Sequence, residues 1–192
     1  DVLACVFTDA FFVPERPMGS AGSKRAVDHF APEPLPTDKL RTPEAGKRAA
    51  ILWYNGTFAP VHAGHVQTLV AARDHLQSLN YSVVAGYMSP CWGGYCSKKL
   101  GEHCIATRHR VNLCRLALAA TDFAMVDTNE ALALEFLAPI ATVHQLYERL
   151  LQLGANSKQH SWLKPGAFDI FWVQGAVRAR FALVLTLDRS SV

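Results

Sequence analysis

The chain has 192 residues, half of them hydrophobic and 18% charged, with a formal net charge of +3 at pH 7. This length allows one domain with a substantial core, the composition argues against a disordered protein, and the small positive charge does not indicate nucleic-acid binding. No apolar run reaches the ~18 residues that a membrane-spanning helix needs, so the sequence predicts no transmembrane segment.

The first part of the chain differs in composition from the rest. Residues 1–49 hold six of the ten prolines, which is typical of an extended arm rather than of a packed core. We therefore predict an extended proline-rich arm over residues 1–49 and an α/β domain over residues 50–192. We expect the arm to lie across protein subunits of a larger assembly. Its phenylalanines are the expected anchors: Phe7, Phe11, Phe12 and Phe30.

The first residue and the cysteines give indications of the cellular compartment of the protein. The chain begins at Asp1 rather than Met, as a protein that has lost an organellar presequence would. Its five cysteines form no C-x-x-C pair, and this fits a reducing compartment better than a disulfide framework. We expect a mitochondrial location, with the cytoplasm as the alternative. The spacing of the cysteines and histidines fits no ordinary zinc pattern, so we predict no metal site. The residues weighed for zinc are Cys91, Cys96, Cys104, His103 and His109.

Strand-like and helix-like patterns alternate after residue 50. The predicted strands are 51–53, 81–88, 123–126, 168–173 and 182–187; one predicted helix ends near residue 79, and two more span 107–120 and 139–153. The stretch between the second strand and the second helix is rich in glycine and is predicted as a loop. Alternation of this kind predicts a doubly wound parallel sheet, which binds ligands at the carboxyl ends of its strands.

The junction of the first strand and helix, NGTFAPVHAGH, carries the clearest chemistry. His62 and His65 stand where the helix begins, and a helix start attracts phosphate because its N–H groups are unpaired. Two imidazoles there can donate hydrogen bonds to phosphate oxygens. The stretch resembles the nucleotidyltransferase signature G-[TS]-F-[DN]-P-x-H-x-G-H, with Ala59 in the [DN] position. The matching residues are Gly56, Thr57, Phe58, Pro60, His62, Gly64 and His65.

Three later motifs narrow the resemblance. They are SPCWGGYCSKKL from Ser89, RHRV from Arg108 and VDTNE from Val126. Together they resemble the eukaryotic type of nicotinamide-nucleotide adenylyltransferase, which joins a mononucleotide to the adenylyl group of ATP with Mg²⁺ and has a Rossmann-like fold. The resemblance implies catalytic roles for His62, His65, Lys98 and Arg110. It implies nucleotide contacts for Gly56, Thr57, Phe58, Gly64, Ser89 and Gly175.

Three departures from that family bear on activity. Asn129 stands where the family has a tryptophan that stacks on the pyridine ring, and Val177 stands where it has an aspartate. The family's late ISSTxxR motif does not occur before Val192. We therefore expect a divergent protein of reduced or lost activity that serves as an accessory subunit of a mitochondrial assembly and retains a nucleotide, either NAD or nicotinamide mononucleotide. The alternative is an active enzyme that makes NAD from ATP and nicotinamide mononucleotide.

Overall fold

The computed structural model describes residues 33–174 and the backbone of residues 183–186. The strands are β1 (Arg48–Gly56), β2 (Tyr81–Pro90), β3 (Ala124–Val126), β4 (Phe168–Gln174) and β5 (Leu183–Thr186). The helices are α1 (Ala63–Ser78), α2 (Gly93–Leu100), α3 (Thr107–Leu118) and α4 (Pro139–Asn156), and short 3-10 turns span Gly101–His103 and Lys158–His160. The five predicted strands and three predicted helices are confirmed to within a few residues.

The described strands form one sheet in the order β3-β2-β1-β4-β5. Strands β1 to β4 are parallel to their neighbours, and β5 is antiparallel to β4. The predicted doubly wound parallel sheet is confirmed for β1 to β4, and the fifth predicted strand joins the same sheet in the antiparallel direction. Eight residues, 175–182, separate β4 from β5, and a parallel crossover needs a dozen or more.

Both faces of the sheet are covered. Alternate residues of β1 point to opposite faces: Leu52 packs in one core with α1 and α3, and Trp53 packs in the other with α4. Both side chains are fully buried, as in a strand that has helices on either side. This architecture places the ends of β1, β2 and β3 side by side at one edge of the sheet.

The predicted loop after β2 contains helix α2, so that prediction is wrong. Gly93 and Gly94 suggested a break, but they serve close packing. A Cβ at Gly93 would lie 2.6 Å from Thr107 Oγ1, and one at Gly94 would lie 2.2 Å from the Trp92 ring. Glycine is tolerated in this helix because the space that a side chain would take is already filled.

Two of the cysteines are paired, contrary to the expectation of free thiols. Cys96 in α2 and Cys104 after the following 3-10 turn form a disulfide, with their Cα atoms 5.8 Å apart. The turn reverses the chain and brings them within the usual range. Cys91 and Cys114 are free and buried. Among the described residues no group of three or more histidine, cysteine or acidic side chains is placed to hold a metal ion.

Residues 33–47 lie against their own domain rather than away from it. Lys39 Nζ donates hydrogen bonds to the carbonyls of Leu118 (2.8 Å) and Ala124 (3.2 Å). Tyr87 Oη donates to the carbonyl of Pro36 at 3.0 Å, and Leu40 is buried in the core. Proline lacks an N–H but keeps a carbonyl that accepts such bonds. Residues 1–32, with all four predicted anchors, lie outside the described residues, so the arm stays a prediction there.

None of the helices in the described ranges is both long enough and apolar enough to span a membrane.

Candidate functional site

Phe58 anchors the loop between β1 and α1, residues 57–62, to the core. This side chain is 2% exposed, and its ring meets Tyr54 and His65 edge to face. A Cβ at Gly56 would lie 3.0 Å from the ring, so glycine is needed for this packing. The backbone of Phe58 has a φ of 44°, a left-handed conformation that is uncommon outside glycine. Phe58 thus shapes the loop from the core side instead of lining its open side.

The two predicted histidines form a pair at the start of α1. The His62 N–H donates to His65 Nδ1 at 3.1 Å, and the His65 N–H donates to the carbonyl of His62 at 2.9 Å. The ring centroids are 3.7 Å apart. A Cβ at Gly64 would come within 3.0 Å of the His62 imidazole, so glycine leaves room for the pair. Since Nδ1 of His65 accepts a hydrogen bond, the neutral ring carries its proton on Nε2, which is then a donor.

Electrostatics favour the neutral form of the His65 imidazole. Burial lowers the pKa of His65, and the neighbouring His62 lowers it further. The first turn of α1 contains no acidic residue, so nothing there cancels the positive end of the helix. The helix start and the imidazole pair together make a site suited to phosphate oxygens.

Arg110 is buried and supports the loop between β1 and α1. Its side chain is 0% exposed. Nη1 donates to the carbonyl of Thr57 at 2.8 Å, Nη2 to that of Cys91 at 2.8 Å, and Nε to that of Ile105 at 3.2 Å. The guanidinium is therefore occupied by backbone carbonyls and positions the loop after β1 against the start of α2. Its predicted role in catalysis stays a prediction.

Glu130 is the last residue of the VDTNE motif but was not among the predicted site residues. It lies 2% exposed, just after β3, and its carboxylate accepts hydrogen bonds from Asn55 Nδ2 at 2.6 Å and from the Trp92 N–H at 3.3 Å. Asn55 also donates to the carbonyl of Ser89 at 3.1 Å. The Ser89 hydroxyl itself is buried and has no hydrogen-bond partner in the described part of the chain. An acid directly after a strand end, in VDTNE, was the signal that would have singled out Glu130.

Asn129 is turned toward α4. Its side-chain amide donates to Gln145 Oε1 at 2.5 Å, and its N–H donates to Asp127 Oδ1 at 3.3 Å. Asp127 is buried and also accepts from Arg149 Nη1 at 2.7 Å. The position where the resembling family places an aromatic platform therefore carries a polar side chain held by a helix.

Of the two remaining predicted site residues, the structure describes only Lys98. Lys98 is exposed in the last turn of α2, and within residues 33–174 no hydrogen bond joins it to another predicted site residue. Gly175 lies outside the described residues. The structure thus brings together the loop residues, the histidine pair, Arg110 and Ser89.

The parallel sheet, the helices on both of its faces and the loop at the first strand–helix junction define an α/β protein with a Rossmann-like fold of the nucleotidyltransferase type. The Cytidylyltransferase-like family model matches residues 53–177, and the chain belongs to that family.

Curated relatives narrow the relationship. The chain is 37% identical over 125 residues to the nicotinamide/nicotinic acid mononucleotide adenylyltransferase of Oryza sativa, covering 63% of this chain and 49% of that protein. It is 35% identical over 100 residues to the protein of the same name from Arabidopsis thaliana, covering 51% and 40%. It is also 35% identical over 85 residues to nicotinamide/nicotinic acid mononucleotide adenylyltransferase 2 of Xenopus tropicalis, covering 44% of this chain and 26% of that protein. The chain spans about half or less of the length of these relatives. The chain is thus related in sequence to the mononucleotide adenylyltransferases.

Proposed function

We propose that the protein binds ATP through the loop after β1 and acts as an adenylyltransferase-like protein in which the pyridine-binding half of the site is weakened. The observation that carries this proposal is the histidine pair. His62 and His65 lie at the start of α1 with a neutral Nε2 donor on His65. The names of the relatives, which are adenylyltransferases for nicotinamide or nicotinic acid mononucleotide, support the choice of substrates.

The proposed reaction needs no nucleophile from the protein. A phosphate oxygen of the mononucleotide attacks the α-phosphorus of ATP, the bond to the bridging oxygen breaks, and pyrophosphate leaves with that electron pair. Catalysis then consists of positioning and of stabilising charge on the phosphates. His62 and His65 would donate hydrogen bonds to the ATP phosphates, and the exposed ammonium of Lys98 would meet a phosphate from α2. Arg110 would act through the loop that it holds.

Mg²⁺ fits this proposal as a companion of the nucleotide. It usually keeps several waters and is bound through substrate phosphates with one or two carboxylates. No described group of three side chains forms a dedicated metal cage, which agrees with a metal that arrives with ATP. When bound, the ion supplies neutralisation of phosphate charge.

The weakened half of the site is the pyridine side. Asn129 offers no aromatic face, and stacking on a nucleobase contributes on the order of 1–3 kcal/mol. This corresponds to roughly 5- to 150-fold in mononucleotide affinity at 1.4 kcal/mol per tenfold. Dinucleotide synthesis from ATP and nicotinamide mononucleotide should therefore be slow. A turnover near ~1 per second, the usual lower bound for enzymes, would support the alternative of a fully active NAD-forming enzyme.

Binding is tested by titration calorimetry with ATP. The wild type should bind, and His65→Ala should bind at least several-fold more weakly because it loses both the donor and the bond to the His62 N–H. His75→Ala is the matched control, since His75 lies in the last turn of the same helix. Absence of ATP binding to the wild type, or equal affinity of the wild type and His65→Ala, would contradict the proposal.

An accessory role in a mitochondrial assembly is proposed as the finer function. It is supported by the proline-rich composition of residues 1–49, of which residues 33–47 pack on their own domain. The partner-binding part should therefore be residues 1–32. Deleting 1–32 should release the protein from its assembly, measured by co-purification, and leave ATP binding unchanged. Co-purification of the truncated chain with the same partners would refute the role.

A further inference from the structure

Glu130 carries a buried carboxylate that accepts two hydrogen bonds within the described residues 33–174. Both of its hydrogen-bond partners are neutral N–H donors, the side-chain amide of Asn55 and the backbone of Trp92. These donors come from two different elements, the end of β1 and the residue before α2, while Glu130 itself follows β3. One carboxylate thus joins three parts of the site.

The same region has three further hydrogen bonds. The Cys91 N–H donates to the carbonyl of Gly56 at 2.8 Å, and the Asn55 side chain donates to the carbonyl of Ser89. These two bonds hold the ends of β1 and β2 together. The Asp127 N–H donates to the carbonyl of Met88 at 3.0 Å and ties the start of the loop after β3 to β2. Glu130 extends the connection of that loop to Asn55 and Trp92.

We propose that Glu130 is a positioning residue and that its ionised carboxylate holds the end of β1 and the residue before α2 in the arrangement that binds nucleotide, whereas its protonated form loosens that arrangement. This inference rests on the proposed function for the part that concerns nucleotide. The reason is the chemistry of its partners. An ionised carboxylate accepts through both oxygens, whereas the hydroxyl oxygen of a protonated one is a much weaker acceptor and carries a proton of its own. Protonation therefore weakens one of the two hydrogen bonds.

The surroundings of Glu130 place this change near neutral pH. Burial raises its pKa to about 7, against the lowering effect of the Trp92 N–H, Asn55 and Arg110, and with a further rise from Asp127. The titratable and charged groups that face it are Arg110 of α3, Asp127 of its own loop and the Cys91 thiol. Burial raises the pKa of Cys91, so this thiol stays neutral in the same range. Both forms of Glu130 are therefore populated between pH 6 and 8.

The first test follows the two donors without any nucleotide. Amide NMR of the wild type between pH 5.5 and 8.5 should show the Trp92 N–H and the Asn55 side-chain amide shifting together with a midpoint near 7. Both shifts should vanish in Glu130→Gln. Amides that stay unchanged over this range, or that shift equally in the variant, would overturn the proposal. Asn55→Ala is a second variant. It should raise the midpoint seen at Trp92, because the Asn55 hydrogen bond lowers the pKa of Glu130.

The second test measures ATP affinity at pH 6 and pH 8 for the wild type and Glu130→Gln. With a midpoint near 7 the ionised fraction rises about tenfold over this range, so the ratio of the two affinities should change by roughly tenfold. Taking the ratio cancels the ionisation of ATP and of His65, which both proteins share. A ratio that is the same at both pH values would show a merely structural role and overturn the proposal. If neither protein binds ATP, the proposed function fails, and the amide titration alone decides the role of Glu130.

Discussion

Replacing Arg110 by methionine tests the support of the phosphate loop. Methionine has similar length and no donor, so the carbonyls of Thr57, Cys91 and Ile105 lose their partner. An unsatisfied buried acceptor costs about 1–3 kcal/mol, which gives roughly 3–9 kcal/mol for three. Removing a buried charge returns several kcal/mol of desolvation. We expect a net loss of about 3 kcal/mol in the free energy of unfolding.

The assay is urea unfolding of the wild type, Arg110→Met and Arg115→Met. Arg115 lies on the same helix but is exposed, and its ion pair with Glu33 is also exposed. Exposed pairs contribute about 0–1 kcal/mol, so Arg115→Met should be nearly as stable as the wild type. Arg110→Met should in addition bind ATP more weakly. Equal changes in the two variants would refute the assignment of Arg110 as the support of the loop.

Three further predictions concern stability. Between pH 4.5 and 7 the folded protein holds a proton on Glu130 that the unfolded chain releases, so the free energy of unfolding should fall by up to about 3 kcal/mol as pH rises over this range. Urea unfolding across pH measures this change, which should be absent from Glu130→Gln. Gly154→Ala, normally stabilising in a helix by about 1 kcal/mol, should instead destabilise by about 1–3 kcal/mol in thermal unfolding, since its Cβ would lie 2.2 Å from the carbonyl oxygen of Leu163. Lys39→Met should cost about 1 kcal/mol, because the carbonyls of Leu118 and Ala124 lose the Lys39 ammonium but keep Thr121 as a donor. An unchanged melting temperature would contradict the attachment of residues 33–47.

The sequence predicted the elements whose patterns are local. The apolar run at Ile51 and the helical spacing that ends near residue 79 are set by neighbours in the chain, and both were confirmed. Helix α2 was missed because Gly93 and Gly94 are typical of a break, and the contact of Gly93 with Thr107 of α3 forms only in the folded chain. The antiparallel direction of β5 likewise follows from its separation from β4, because eight residues are too few for a parallel crossover.

In the candidate site, too, the local patterns could be predicted and the long-range contacts could not. The signature located the histidine pair, because its spacing around a helix start is local. The motif also picked out Arg110, but not that its guanidinium faces the carbonyls of Thr57 and Cys91. The role of Glu130 depends on donors 75 and 38 residues away in the chain. No local pattern could predict that bond network.

The imidazoles of His62 and His65 are proposed to bind the phosphates of ATP, and NMR of the histidine side-chain nitrogens during an ATP titration at constant pH tests this most directly. The resonances of His62 and His65 should shift along one saturation curve while those of His75 and His144 stay in place. ATP binding that leaves His62 and His65 unchanged, or that moves the other histidines instead, would refute binding of the phosphates by this pair.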